Sequence, residues 1–429
     1  MLQKLQKLYK PSISPERSLD PEELLLKWAK WPLLGVQFNG YLSFSVSSRK
    51  FKMDIKSAPK DCKKTLQFNF FSIPFLFHLL FVTTFSVVTI LWGHENYGAF
   101  THLRKVSPDF VIMAGNMICG FSYTIGNRIW SLLCSKKYLA FWTYQVDKIA
   151  LITPNLWDPN TVLDLQKKIR TSFFRTVFLL CTVTFSLLFS NLILVDTLKI
   201  SNHGIITSSY LNKSRQIVIV GLLGTYCVFS HVFFSIWLNF FVKTYSAAVS
   251  SLRVELEGWS ISGAKISRLS KNYSILIELV DHFNDRMGRR IVLEVGFNLI
   301  YILASTYLAI VSGKMGDIGA VLTTVMCTLL SMQVLYEYGN DGENLEVERV
   351  KLVKLLCAVE EGEGQYEIGV ANKIRDFRRK VTTCKLRITP ENFFTLDRSF
   401  ILSILSILMT LLIVLAQFRD SEVEKVGVK

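Results

Sequence analysis

The chain has 429 residues, 50% of them apolar and 13% aromatic, with 19% charged, a formal net charge of +15 and a mean hydropathy of +0.33. A soluble globular domain seldom carries so much apolar surface with so little charge, so membrane spans are the first reading. The positive charge stands between apolar segments and follows no zinc-finger, basic-zipper or RNA-recognition pattern. That argues against nucleic acid and for basic loops beside membrane lipid.

Residues 1–20 are polar and lack an apolar core ahead of a cleavage site, so the first span itself is expected to act as the targeting signal. Residues 21–46 are apolar but interrupted by Lys27, Lys30 and Pro32. They are expected to form an amphipathic helix lying in the interface, with an eighth span as the alternative. Seven stretches then meet the requirement of roughly 20 apolar residues per span: 68–92, 107–134, 171–197, 216–242, 291–312, 318–338 and 399–418. No proline occurs between Pro159 and Pro390, so centrally kinked spans are not signalled.

Orientation follows from the first span. Its leading flank, 48–67, carries Arg49, Lys50, Lys52, Lys56, Lys60, Lys63 and Lys64, whereas 93–106 carries only Arg104 and Lys105. The N-terminus is therefore expected in the cytoplasm and, after seven spans, the C-terminus outside. The triplet starting at Asn212 then falls in an outer loop and is a glycosylation candidate. The long inner segments 243–286 and 339–396 carry apolar residues at helical spacing, as in LSKNYSILIELVDHFNDRMG from Leu269 and ENLEVERVKLVKLLCAVEEGEG from Glu343. They are expected to form a cytoplasmic helical bundle continuous with the last four spans.

The organisation expected is thus a cytoplasmic N-terminal segment (1–67), six spans with long inner loops forming a ligand-binding bundle (68–338), a cytoplasmic helical anchor (339–396), a last span (397–418) and a short outer tail (419–429). The fold class is all-α, a polytopic membrane protein. Ionisable residues inside the spans are few. Asp109, Arg175 and Asp196 lie near span ends, Arg128 is expected to reach the inner face, and Glu294 to pair with Arg289 or Arg290. His231 is expected to bond a neighbouring helix. No nucleophile–base set, phosphate loop, metal cluster or C-x-x-C pair is present, so the chain is not read as an enzyme, and no cofactor or metal is expected.

The most specific stretch is 390–418, PENFFTLDRSFILSILSILMTLLIVLAQF. Its ending resembles that of the insect gustatory receptors, within the seven-span chemoreceptor superfamily that includes the odorant receptors. The family's last span closes on Thr-Tyr, five residues, Gln-Phe. Thr410, Gln417 and Phe418 match, and Leu411 stands where the family has Tyr. The lead-in FFTLDRSFILSIL and the stretch entering the fifth span are also similar.

The resemblance implies a ligand-gated, non-selective cation channel of the plasma membrane in chemosensory neurons, opened by a tastant such as a sugar or bitter compound. It implies a tetramer, or a heteromer with related subunits, in which four last spans line a pore passing monovalent cations, with calcium as a further candidate. On helical spacing Thr410, Val414 and Gln417 share a face. Gln417 would form a ring of amides, Val414 an apolar constriction, and Phe418 would pack at the gate. Candidate ligand contacts in the outer half of the bundle are Trp92, Asn116, Tyr226, Tyr301 and Tyr307, rings and polar groups able to hold a small molecule. The competing readings are an odorant receptor of the same superfamily, a G-protein-coupled receptor and a transporter.

Overall fold

A computed structural model describes residues 21–50, 62–69, 72–101, 108–152, 159–197, 229–258, 261–314, 316, 318–361 and 367–427. Asn212 and Tyr226 lie outside these residues. Described are α1 (Pro21–Trp28), α2 (Lys30–Phe38), β1 (Phe44–Lys50), β2 (Cys62–Phe68), α3 (Ile73–Thr101), α4 (Pro108–Leu133), α5 (Ser135–Ile152), α6 (Pro159–Thr197), α7 (Val232–Glu257), α8 (Gly263–Lys314), α9 (Ile318–Glu361), α10 (Ile368–Thr383), a 3₁₀ turn (Pro390–Asn392) and α11 (Arg398–Gly427).

The expected spans fall on helices, but the helices are longer than the spans. At about 1.5 Å per residue, the 52 residues of α8 reach about 78 Å, far beyond the ~30 Å of a bilayer's apolar layer. Each of α8 and α9 therefore joins an apolar stretch to an amphipathic one without a break. The apolar stretch sits at the C-terminal end of α8 and the N-terminal end of α9. Proline-free sequence makes such continuity possible. Among the described residues, α7, α8, α9 and α11 are long and apolar enough to cross a membrane. Of the fourth expected span, 216–242, only 229–242 is described. The last helix does not stop at 418 but runs on to Gly427.

Segment 21–46 departs from expectation. It forms two short helices and the start of a strand, not one interfacial helix. Leu25, Trp28, Leu33, Val36 and Tyr41 are buried against the bundle, so the protein itself covers the apolar face that was assigned to lipid. The chain turns at Gly40, whose positive φ of 65° lets it pass close to the His78 backbone. β1 then pairs antiparallel with β2, from Phe44 opposite Phe68 to Lys50 opposite Cys62, a small sheet added to an otherwise helical fold.

Arg128 explains why this segment docks. It does not extend to a surface; it is fully buried. Its guanidinium donates to the Asn39 carbonyl (3.1 Å), the Thr124 carbonyl (3.4 Å) and Ser230 Oγ (2.5 Å). The rings of Tyr41 and Phe85 lie 4.6 and 4.9 Å away. A buried cation needs such partners, and here they come from the N-terminal segment, from α3 and α4, and from Ser230 just ahead of α7. Glu294 also differs from expectation. It accepts from Ser235 Oγ and from Tyr338 Oη (3.0 Å). Arg289 turns outward to Glu391 at 3.6 Å, and Arg290 lies over the Phe234 ring at 4.3 Å.

The core centres on α7, whose apolar window is 89% buried. Trp237 and Phe241 meet edge to face at 4.9 Å, and Phe141 of α5 joins Phe241 at 5.0 Å. Where α6, α7 and α9 leave the apolar zone, Arg175 pairs with Glu337, Ser172 Oγ donates to Glu337 (2.5 Å), and Lys243 pairs with Asp341 (2.5 Å). Arg175, half exposed, is thus tied to Glu337.

Candidate pore helix and ligand pocket

The last helix begins at a built junction. Its lead-in is tied to α8: Tyr273 Oη donates to the Cys384 carbonyl (2.8 Å), Asn284 Nδ2 to the Arg387 carbonyl (2.9 Å), and the Thr389 N–H donates to Asn284 Oδ1 (3.0 Å). Asp397 caps the helix by accepting the Phe400 N–H at 2.9 Å. Three glycines let backbones meet. An added methyl group would lie 2.8 Å from the Glu391 nitrogen at Gly288, 2.8 Å from the Asp397 oxygen at Gly339, and 1.9 Å from the Leu396 oxygen at Gly342. The lead-in therefore sits directly on the backbones of α8 and α9.

From there α11 leans on the bundle by one narrow stripe. Ile404, Leu408 and Leu412 are buried, while its apolar window as a whole is only 11% buried. At about 100° per residue, that stripe lies opposite Ser403, Ser406, Thr410, Val414 and Gln417, all exposed. The Ser403 and Thr410 hydroxyls donate to carbonyls one turn back, those of Ser399 (3.0 Å) and Ser406 (3.0 Å). The side chain of Phe418 lies outside the described ones.

The ligand candidates divide. The Tyr301 hydroxyl lies among Asn116, Ser305 and Cys327, so two of the five come together, buried between α4, α8 and α9. Tyr307 does not join them; it packs with Val311 and Leu412 beneath α11. The side chain of Trp92 is not among those described. Around Tyr301 the structure adds residues not singled out from sequence. Phe229 meets Tyr301 edge to face at 5.2 Å, Phe297 lies 5.6 Å from it, and Tyr123 stacks on Phe297 at 4.1 Å. His231 stands edge-on to Phe297 at 4.9 Å. Helical spacing held the signal, since Tyr123 follows Asn116 by two turns and Phe297 precedes Tyr301 by one.

A bundle of long apolar helices with a buried aromatic column and an uncovered last helix defines a multi-pass membrane protein. The sequence pattern of the 7tm chemosensory receptor family matches residues 58–422, and the chain belongs to that family. The family is one of receptors, in agreement with the reading that the chain is not an enzyme. The fold is similar to that of the insect olfactory receptor OR5 from Machilis hrabei, with a TM-score of 0.60 at 13% identity over 93% of this chain and 100% of that one. The same receptor in complex with eugenol gives a TM-score of 0.66 at 12% identity over the same shares. No curated protein sequence matches the chain.

Proposed function

We propose that this chain is a subunit of a gustatory-receptor-like, ligand-gated, non-selective cation channel in the plasma membrane of chemosensory cells. The observation that carries this reading is the stripe of Ser403, Ser406, Thr410 and Gln417 on the uncovered face of α11, opposite its packing stripe. Polar side chains facing lipid are unfavourable; around an axis shared by four copies they would line a wet path instead. Gln417 then supplies a ring of uncharged amides, Val414 an apolar constriction above Thr410, and Phe418 packs beside the gate. In this reading the N-terminus and residues 339–396 are cytoplasmic, the latter anchoring the subunits, and residues beyond 418 lie outside.

The ligand of this reading is a small molecule held between α4, α8 and α9 beside the start of α7, with Asn116 and Tyr301 supplying polar contacts and Phe297, Tyr123 and His231 the rings. Trp92, Tyr226 and Asn212 keep the roles expected from sequence. The motif ending at Gln417 and Phe418 favours a tastant. An odorant is the second reading, favoured by the similarity to an olfactory receptor solved with eugenol, a planar aromatic ligand that such rings suit.

The test is whole-cell current from cells expressing the chain, with a panel of sugars, bitter compounds and aromatic odorants, beside Gln417→Ala and Gln417→Glu. A ligand-evoked cation current with altered relative permeability in both variants, at unchanged surface expression, is expected. A ligand-evoked current indifferent to both would remove Gln417 from the pore.

A further inference from the structure

The start of α6, the C-terminal half of α7 and the middle of α9 line a cleft of about 400 Å³, within the span of small-molecule sites. It lies away from both the aromatic column and the last helix. Its charges are already matched. Lys243 holds Asp341 at 2.5 Å, Lys168 holds Asp164 at 2.7 Å, and Arg253 holds Glu257 at 2.7 Å while facing Glu348 at 3.6 Å. An anionic ligand would have to break these pairs, and an apolar one would strand them without water.

Neutral groups between the pairs remain uncommitted. Asn160, Ser246, Ser250 and Asn344 line the cleft, each able to donate and accept, and among the described residues none of their side chains has a hydrogen-bond partner. Arg253 Nε and Glu348 Oε2, donor and acceptor, are buried without a hydrogen-bond partner. At 3.6 Å they are too far apart to bond each other.

We propose that this cleft binds a neutral polyhydroxylated molecule, a sugar or polyol, either free or as the headgroup of a glycolipid. Alternating donors and acceptors are what such a molecule requires, and it leaves the ion pairs intact. Asp341, Asn344 and Glu348 lie on one face of α9, and Gly339 and Gly342, which seat the lead-in to the last helix, lie on the opposite face. An occupant therefore bears on α9 from behind that seat. Its influence on gating rests on the channel reading; its binding does not.

The test is equilibrium binding of tritiated glucose to the full chain in nanodiscs, beside Asn344→Ala and Ser250→Trp. A second preparation contains glucosylceramide, read by amide hydrogen exchange over 160–168, 243–254 and 341–348. Saturable glucose binding is expected, weakened about tenfold by Asn344→Ala through loss of its hydrogen bonds and abolished by the bulk of Ser250→Trp. Should Ser250→Trp fail to fold, Asn344→Ala alone decides. Protection that appears only with glucosylceramide and is lost in the variants assigns the lipid source. Absence of binding and protection with both probes, or binding that neither variant alters, would overturn the proposal.

Discussion

Two helices of this protein are apolar enough to span a membrane and meet opposite fates. The apolar window of α7 is 89% buried, whereas that of α11, the more apolar of the two, is 11% buried. The difference lies in side-chain kind. Helix α7 carries Phe233, Phe234, Trp237, Phe240, Phe241 and Tyr245 on one broad face and buried Ile236, Leu238 and Val242 elsewhere, and α2, α6, α8 and α9 pack around it. Helix α11 carries aliphatic residues with small hydroxyl groups on one side and touches the bundle by a single stripe. Hydropathy places both in the membrane zone; a face of six aromatic rings gives α7 the contact area that makes it core, and α11 has no such face.

The seat of α11 is where this contrast breaks most sharply. Gly342→Ala puts a methyl group 1.9 Å from the Leu396 carbonyl oxygen, with backbone on both sides. No rotamer change relieves that, so the lead-in must move, beyond the ~1–3 kcal/mol typical of overpacking. The expected outcome in detergent is a large loss of thermal stability and a broadened size-exclusion peak. Gly369→Ala in α10, where an added methyl group meets nothing within 4 Å, should be neutral or slightly stabilising. Equal behaviour of the two variants would mean that the α9 crossing is not tight.

Next in size is a direct pairing of the two helices. Trp237→Ala empties the centre of α7, where the ring is 1% exposed, and should cost about 3–5 kcal/mol. Ile407→Ala on α11, 59% exposed, should leave the thermal midpoint of the isolated subunit nearly unchanged. A large effect of Ile407→Ala on the assembled protein alone would show that other copies cover that face, which sharpens the contrast.

How much of this was legible in the sequence follows the same division. Local signals carried well: apolar runs lie in helices, the pattern from Leu269 lies in α8, and Thr410, Val414 and Gln417 do share an exposed face. Long-range partners did not carry. Nothing near Arg128 announces that Asn39 and Ser230 will satisfy it, because those contacts cross 89 and 102 residues. The same holds for Glu294, whose neighbours at positions 289 and 290 offered a local pair that Ser235 and Tyr338 supplanted. In segment 21–46 the interruptions at Lys27, Lys30 and Pro32 imitate an interfacial helix. The structure shows a Trp- and Leu-rich wedge buried under the bundle. Tyr301 and Asn116 share a site while Tyr307 does not, a distinction that needs the packing angle of α11 as well as helical spacing.

The smallest expected effect sits where α7 leaves the core. Burial pushes the Asp341 carboxyl up to about 6, while Lys243 opposes the shift. The charged groups facing it are Lys243 from α7, Glu337 on its own helix and Arg175 from α6. Its folded value lies above its ordinary one of 3.8, so between those two pH values the native state binds more protons than the unfolded state. Stability from this group therefore rises as pH falls through about 6, and is flat above it. Asp341→Asn removes the titration and leaves Lys243 with Glu337, 3.7 Å away. The thermal midpoint of the variant should then depend less on pH between about 6 and 4 than that of the unaltered chain. An unchanged pH dependence would mean that water reaches Asp341 and that the end of α7 is as wet as α11, not an extension of the core.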